Sequence, residues 1–593
     1  MFSPMEDLLH RLESRHGRCK KKKKETKSSS EQQQSVKKIS CTDAALIQSR
    51  RIPFGNFQGD QIYRNRIANA EPAELAESGH YSIEELVLPN CTSALCTTFS
   101  AGNPAWLQQV FANVDRLLVM KPPPKSMSDN TNTSLGLGPT IGNAKVSQME
   151  RRSQEMTAGT EKSVFLPITD WFWVQARPNT GGCLHAKVML FRSSLGLRVV
   201  ICGGNLRRWQ WMQHRDCFFV QDFPVADRDD RVGFGDELFA FFTQVTRCET
   251  ISDQNMVTAR INEVFDKVDF SAARAKLVIS FPRTKTETET GLSAGGWKHL
   301  SIAVHDALVA SGMGERDENI DSQNSQPTEN MAGGLPNIVY SNSGSMGNIQ
   351  PDFLLQMYQA MNGKQEPAPR STTWEDVVQR VRCMWPSIAT ACKTDLLGLK
   401  GCSRHIPRCS LNDIKRCYRN IIFRDAIPNP QTLATFQEPW KRFGMAEELS
   451  DEKRFHPATH GKFLWNDVGV LYVGSHNFSK AAWGLHNASP KNVEVGIVIA
   501  TPRMLNGRPN PTYELWKDRL PCKLNAESSP YYAAYAGLPD LINQHPYGGL
   551  WKRVYENVAN KSFVPSEAGT SCPSPALGDM LCDSSDDEEY WQH

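Results

Sequence analysis

HAKVMLF (His185–Phe191) and, far later in the chain, HGKFLW (His460–Trp465) open on the same histidine-x-lysine spacing. Each leads into a second apolar stretch that ends on an asparagine. LRVVICGGN closes on Asn205, and VGVLYVGSHN closes on Asn477. Along a strand, residues i and i+2 share a face, so His185 projects with Lys187 and His460 with Lys462. One such pair says little, because any exposed strand can carry it. Two copies, each with its own strand and asparagine, describe two half-sites built on one fold. Two imidazoles, two ammonium groups and two amides around one point suit transfer of a phosphoryl group. An imidazole attacks phosphorus or moves a proton near neutral pH, and cations hold the non-bridging oxygens as charge develops on them.

Around these elements, strand signals interleave with helical ones. KVMLF, LRVVIC, KLVISFP, PNIVYS, KFLW, VGVLYVG and NVEVGIVIA read as short buried strands. MVTARINEVFDK, WKHLSIAVHDALVASG, PDFLLQMYQAMNG and STTWEDVVQRVRCMW carry helical spacing. The pattern predicts an α/β fold of two related layered domains. Residues 51–284 form the first and 285–560 the second, with surface insertions at about 122–160 and 313–334. Residues 1–50 read as a basic disordered tail and 561–593 as an acidic one.

The 593 residues carry a net charge of only +3, but residues 1–40 hold eleven Lys or Arg against five acids, including the run Lys20–Lys24. A basic run in a polar tail points to nuclear import or loose contact with nucleic acid. No apolar run approaches the roughly 20 residues of a membrane span, and the first residues lack the apolar stretch of a secretory signal. The sixteen cysteines form no regular framework and read as reduced thiols. Cys402, His405, Cys409 and Cys417 match no zinc spacing. No carboxylate cluster suggests two-metal catalysis, so neither cofactor nor metal is expected. Ser584 and Ser585, beside acidic residues, are candidate phosphorylation sites.

Several features together resemble the 3′-acting tyrosyl-DNA phosphodiesterase family of the phospholipase D superfamily. They are the paired motifs lacking a following aspartate, SHNFSKAAWG (Ser475–Gly484), LRVVICGGNL and NVEVGIVI. The resemblance implies two pseudo-twofold-related phospholipase D-like α-β-α sandwich domains with the site between them. It implies a monomeric, metal-independent DNA repair enzyme that cleaves the bond between a DNA 3′ phosphate and a tyrosine left by stalled topoisomerase I. Other 3′-blocking groups, including a terminal nucleoside removed exonucleolytically, would be substrates too. Carried over, His185 is the nucleophile and His460 the general acid, then base. Lys187, Lys462, Asn205 and Asn477 bind the phosphate, and Glu494 orients His185. Ser479 and Lys480, with Ser343 and Ser345, contact the DNA backbone of single- or double-stranded substrates.

Two positions depart from the family pattern. Asp216 stands where a glutamine supports the second histidine, and would hold His460 in its protonated form. Gly181 stands where an aromatic stacks on DNA. Trp209, Trp211 and Trp171–Trp173 are nearby substitutes, though tryptophans of this kind are more often core. Two other readings remain at this stage. One is a phospholipase D-superfamily nuclease or phosphodiesterase acting on plain nucleic acid or lipid. The other is an inactive DNA-end-binding scaffold.

Overall fold

The computed structural model describes residues 49–59, 61–66, 79–123 (less 103 and 113), 144–176 (less 158–159), 182–282 (less 228–230), 295–313, 337–385 (less 347–348), 422–426, 460–522 (less 487) and 524. Outside them lie nearly all of both tails, the run Lys20–Lys24, residues 124–143 and 314–336, Gly181, the Cys402–Cys417 cluster, and Ser584 and Ser585. The side chain of Trp209 is also outside the description.

Two sheets carry the architecture. The first is built from β1 (Ile62–Asn65), β2 (His80–Tyr81), β3 (Ser93–Thr97), β4 (Arg116–Lys121), β5 (Lys145–Thr157), β6 (Thr160–Gln175), β7 (Val188–Ser193), β8 (Gly196–Cys202) and β9 (Cys217–Pro224). Its spatial order is β2-β1-β9-β8-β7-β3-β4-β6-β5. The second contains β10 (Lys276–Ser280), β11 (Val339–Asn342), β12 (Val381–Trp385), β13 (Phe423–Asp425), β14 (Lys462–Asn466), β15 (Val470–Gly474) and β16 (Glu494–Ala500), ordered β10-β16-β15-β14-β11-β12-β13. Both motif strands, β7 and β14, are followed by an antiparallel neighbour, β8 and β15, that leads to the asparagine.

Strand alternation sorts the side chains into three cores. Val199 and Ile201 of β8 face Leu471 and Val473 of β15 and Val495 and Ile497 of β16 in a core shared by the two sheets. Helices α4 (Phe234–Val245) and α5 (Ile251–Phe265) contribute Phe241, Phe242 and Val264 to it. The opposite face of the first sheet is covered by α1 (Ile83–Leu86) and α2 (Pro104–Val110). That of the second is covered by α6 (Trp297–Ala310) and α7 (Pro351–Ala360). Short helices α3 (Arg208–Gln213) and α8 (Lys480–Trp483) follow the two asparagines, and α9 (Pro511–Arg519) closes the described chain. No helix among the described residues is long and apolar enough to cross a membrane.

Two sequence expectations need correction. The polar stretch read as an insertion at 122–160 contains β5, whose residues 145–157 pair antiparallel with β6 through one register shift between Gln148 and Glu150. Backbone pairing supplies order there that composition does not announce. STTWEDVVQRVRCMW is not a helix. Residues 371–380 form turns, and Val381–Trp385 is β12, paired in parallel with β11. The helical spacing of Val377, Val378 and Val381 serves a core contact, and the sheet ladder decides the backbone.

Candidate active site between the two sheets

The two motifs meet where the sheets meet. The His185 N–H donates to the Val493 carbonyl at 2.9 Å, and those of His460 and Gly461 donate to the Arg215 carbonyl at 2.8 and 3.1 Å. Each histidine is therefore held by backbone from the other half of the molecule.

His185 is buried, and its Nδ1 lies 2.8 Å from Glu494 Oε2. Glu494 is fully buried and also accepts from Ser475 Oγ at 2.6 Å and Asn492 Nδ2 at 3.3 Å. Burial would raise the Glu494 carboxyl, but His185 and its hydrogen bond outweigh it and keep the group ionised. Burial drives the His185 ring towards its neutral form, with Glu494 pulling the other way. An ionised carboxylate at Nδ1 makes that nitrogen the N–H donor, which leaves the lone pair on Nε2.

Both lysines are buried. Lys187 Nζ donates to the His185 carbonyl at 2.6 Å, and Lys462 Nζ to the carbonyls of Gly203 and His460, each at 3.1 Å. Burial, then the proximity of Lys462, brings the Lys187 ammonium down to about 7. Lys462 is lowered by burial, with Asp216 the leading group opposing. Its Nζ also lies 3.3 Å from His460 Nδ1. The other edge of that ring faces the Ser343–Ser345 turn, where a Cβ on Gly344 would approach Cδ2 to 3.0 Å and Nε2 to 3.3 Å.

The asparagines are held in matching ways. Asn205 Oδ1 accepts from the Phe99 N–H at 3.2 Å and lies 3.5 Å from Thr98 Oγ1, which itself accepts from the Leu206 N–H at 3.0 Å. In the other half, Ser343 Oγ donates to Asn477 Oδ1 at 3.2 Å and accepts from the Phe478 N–H at 3.0 Å. Each amide oxygen is occupied, so the NH₂ remains as the donor for a ligand. Thr98 is the counterpart of Ser343. Sequence reading missed it because a threonine after a strand carries no signal until the second half is superposed on the first.

The expected DNA contacts are more occupied than their residue types suggest. Ser343 is engaged by Asn477, and its Oγ also accepts from the Ser345 N–H at 3.3 Å. Ser479 caps α8, accepting from the Ala482 N–H at 3.3 Å. Lys480 is half-buried, bonded to Gln350 Oε1 and 3.8 Å from Asp352 Oδ1. Asp216 does not hydrogen-bond His460, contrary to the support expected of it. Its oxygens close no hydrogen bond among the described residues, and the leading charge acting on it is Lys462. Trp171 and Trp211 are core residues, donating to the Val114 and Asn205 carbonyls at 3.1 and 3.0 Å. An aromatic ring beside His185 is Phe99, half-buried with its ring centroid 5.4 Å from that of His185. Behind Asn477, buried His476 bridges Ser280 Oγ at 2.7 Å and Tyr472 Oη at 2.5 Å and stacks on Trp483. Burial brings its ring down to about 3, so it is a neutral packing element.

Paired imidazoles, lysines and amides gathered at one buried junction are groups suited to phosphoryl chemistry. The sequence model of the tyrosyl-DNA phosphodiesterase family matches residues 145–536. That is about two thirds of the 593 residues, and the chain belongs to this family. Tyrosyl-DNA phosphodiesterase 1 of Arabidopsis thaliana is 21% identical over 327 residues, covering 53% of this chain and 45% of the plant protein. The chain thus spans about half the length of the curated relative it matches. Among solved structures, yeast tyrosyl-DNA phosphodiesterase superposes with a TM-score of 0.45 at 11% identity, over 74% of this chain and 90% of that one. Phosphatidylserine synthase of Haemophilus influenzae gives 0.34 at 11% identity, over 88% and 100%.

Proposed function

We propose that this chain hydrolyses the bond between a DNA 3′ phosphate and a tyrosine, the remnant of a stalled topoisomerase I, through a covalent phosphohistidine. The observation that carries this reading is the Glu494–His185 hydrogen bond of 2.8 Å, which leaves Nε2 of a neutral imidazole as the nucleophile beside two buried lysines.

His185 Nε2 attacks phosphorus, and the bond to the tyrosyl oxygen breaks. The phosphate draws the Lys462 ammonium onto its oxygens, which frees His460 Nδ1 to take a proton from solvent, leaving the Nε2 proton for the leaving group. The His460 imidazolium then gives its proton to the leaving phenolate. In the second half, neutral His460 takes a proton from water, the resulting hydroxide attacks phosphorus, and the P–N bond breaks. The products are a DNA 3′-phosphate and restored His185. Lys187, Lys462 and the two asparagine NH₂ groups hold the non-bridging oxygens throughout. No step calls for a metal ion.

On this reading the basic run Lys20–Lys24 takes a monomeric protein to the nucleus, and each of the two sheets presents one half-site. Strand β10 (Lys276–Ser280) belongs to the second sheet and not to the first half, as the 51–284 boundary expected. The test is incubation with a 3′-phosphotyrosyl oligonucleotide in EDTA, beside His185→Ala. Wild type should release a 3′-phosphate and the variant none. Retained DNA binding with no product from wild type would make the protein an end-binding scaffold.

A further inference from the structure

The glycines of the two motifs converge on one carboxylate. A Cβ on Gly203 would lie 3.0 and 3.1 Å from the Asp216 oxygens, one on Gly204 3.1 Å from Oδ2, and one on Gly461 3.1 Å from Oδ1. Glycine at all three positions keeps room for a group that touches both half-sites. The Asp216 N–H donates to Asn65 Oδ1 at 2.7 Å, which fixes the backbone that presents it. The residue is only 5% exposed, and neither side-chain oxygen closes a hydrogen bond among the described residues. The charged groups facing it are Lys462 from the second half and Lys187 from the first. The thiols of Cys202 on β8 and Cys217 on β9 face it as well. The N–H groups of Gly203 and Cys217 stabilise its charge weakly, short of full hydrogen bonds. A buried carboxylate without donors is costly. Attraction to the two ammonium groups compensates it, and an arriving phosphate competes for that attraction.

We propose that Asp216 is an exchangeable counter-anion of the phosphate site, ionised against Lys462 when the site is empty and protonated from solvent when a phosphate occupies the lysines. The inference rests on the phosphate-binding role given above to Lys187 and Lys462. The step is proton uptake alone: a carboxylate and one proton from water become a carboxylic acid, with no bond to phosphorus. Burial already brings this carboxyl up to about 7, and Lys462 is the leading group pulling it down. A phosphate on Lys462 cancels that pull, so the proton is retained at higher pH.

The test uses the full chain with a 3′-phosphorylated oligonucleotide. Calorimetric titrations at about pH 8, in two buffers of different ionisation heat, give the protons taken up per site. Wild type should take up close to one proton more than Asp216→Asn. Its affinity, relative to that variant, should weaken about tenfold per pH unit above the carboxyl's own transition. Infrared difference spectra of wild type, which need no variant, should gain a protonated-carboxyl band on ligand addition. Equal proton uptake in both proteins, or no such band, overturns the inference and leaves the phosphate site standing. No oligonucleotide binding by wild type overturns both.

Discussion

Glu494 hydrogen-bonds His185 at 2.8 Å, so its replacement separates an orienting role from a binding one. Glu494→Gln keeps a hydrogen-bonding side chain but permits the wrong ring tautomer. Single-turnover cleavage should fall on the order of 10⁴-fold, as when the carboxylate partner of a catalytic histidine becomes an amide, with substrate affinity little changed. A fall in affinity matching the fall in rate would show that Glu494 contributes to binding instead. Lys187 predicts a pH effect with a definite sign. Its ammonium loses charge as pH rises through about 7 in the empty site. Since kcat/KM reports the free enzyme, it should decline above that pH; a profile flat to strongly alkaline pH contradicts the assignment. At this scale the His, Lys and Asn sets stood out because the motif repeats, whereas Glu494 was picked out only through the family resemblance. Thr98, Phe99 and Ser475 were illegible because their roles exist only through contacts across the fold.

Pairs of elements are what aim these side chains. Tyr472 on β15 lies across Gly474 and Gly496, where a Cβ would come within 2.2 Å of its ring or hydroxyl. Gly496 is two residues beyond Glu494 on β16, so the same packing sets the height of the carboxylate under His185. Gly496→Ala should cost about 1–3 kcal/mol by overpacking. Thermal unfolding and cleavage rate, measured together, should both fall; unchanged stability would mean that Tyr472 can move away at no cost. The hairpin between β14 and β15 turns at Gly469, with φ +112° and room for no Cβ beside the Thr501 carbonyl. Such strands were legible from short apolar runs bounded by glycine. The segment 371–385 and the strand at 145–157 were not, because a helical spacing of valines and a polar composition each hid a backbone that tertiary pairing decides.

Across the whole molecule, the N-terminal segment and the two halves are joined by buried polar groups. Arg198 of β8 pairs with Asp222 of β9 at 2.7 Å with both side chains essentially fully buried, and donates to the carbonyls of Ile52, Pro53 and Leu86. Arg198→Ala leaves an uncompensated carboxylate and should cost about 3–5 kcal/mol in urea unfolding. A cost near zero would mean that water replaces the guanidinium. Arg64 of β1 donates to the Arg519 and Leu520 carbonyls at the end of α9, tying the last described helix to the first sheet. The duplicated motif foretold two half-sites; it could not foretell that each histidine's backbone bonds to the opposite half. The central claim, that this junction makes His185 a covalent catalyst, is tested most directly by trapping. His460→Asn should accumulate a protein–DNA adduct from a 3′-phosphotyrosyl oligonucleotide, and mass spectrometry should place the phosphorylated fragment on His185. An adduct on another residue, or hydrolysis at the wild-type rate with no adduct, would contradict it.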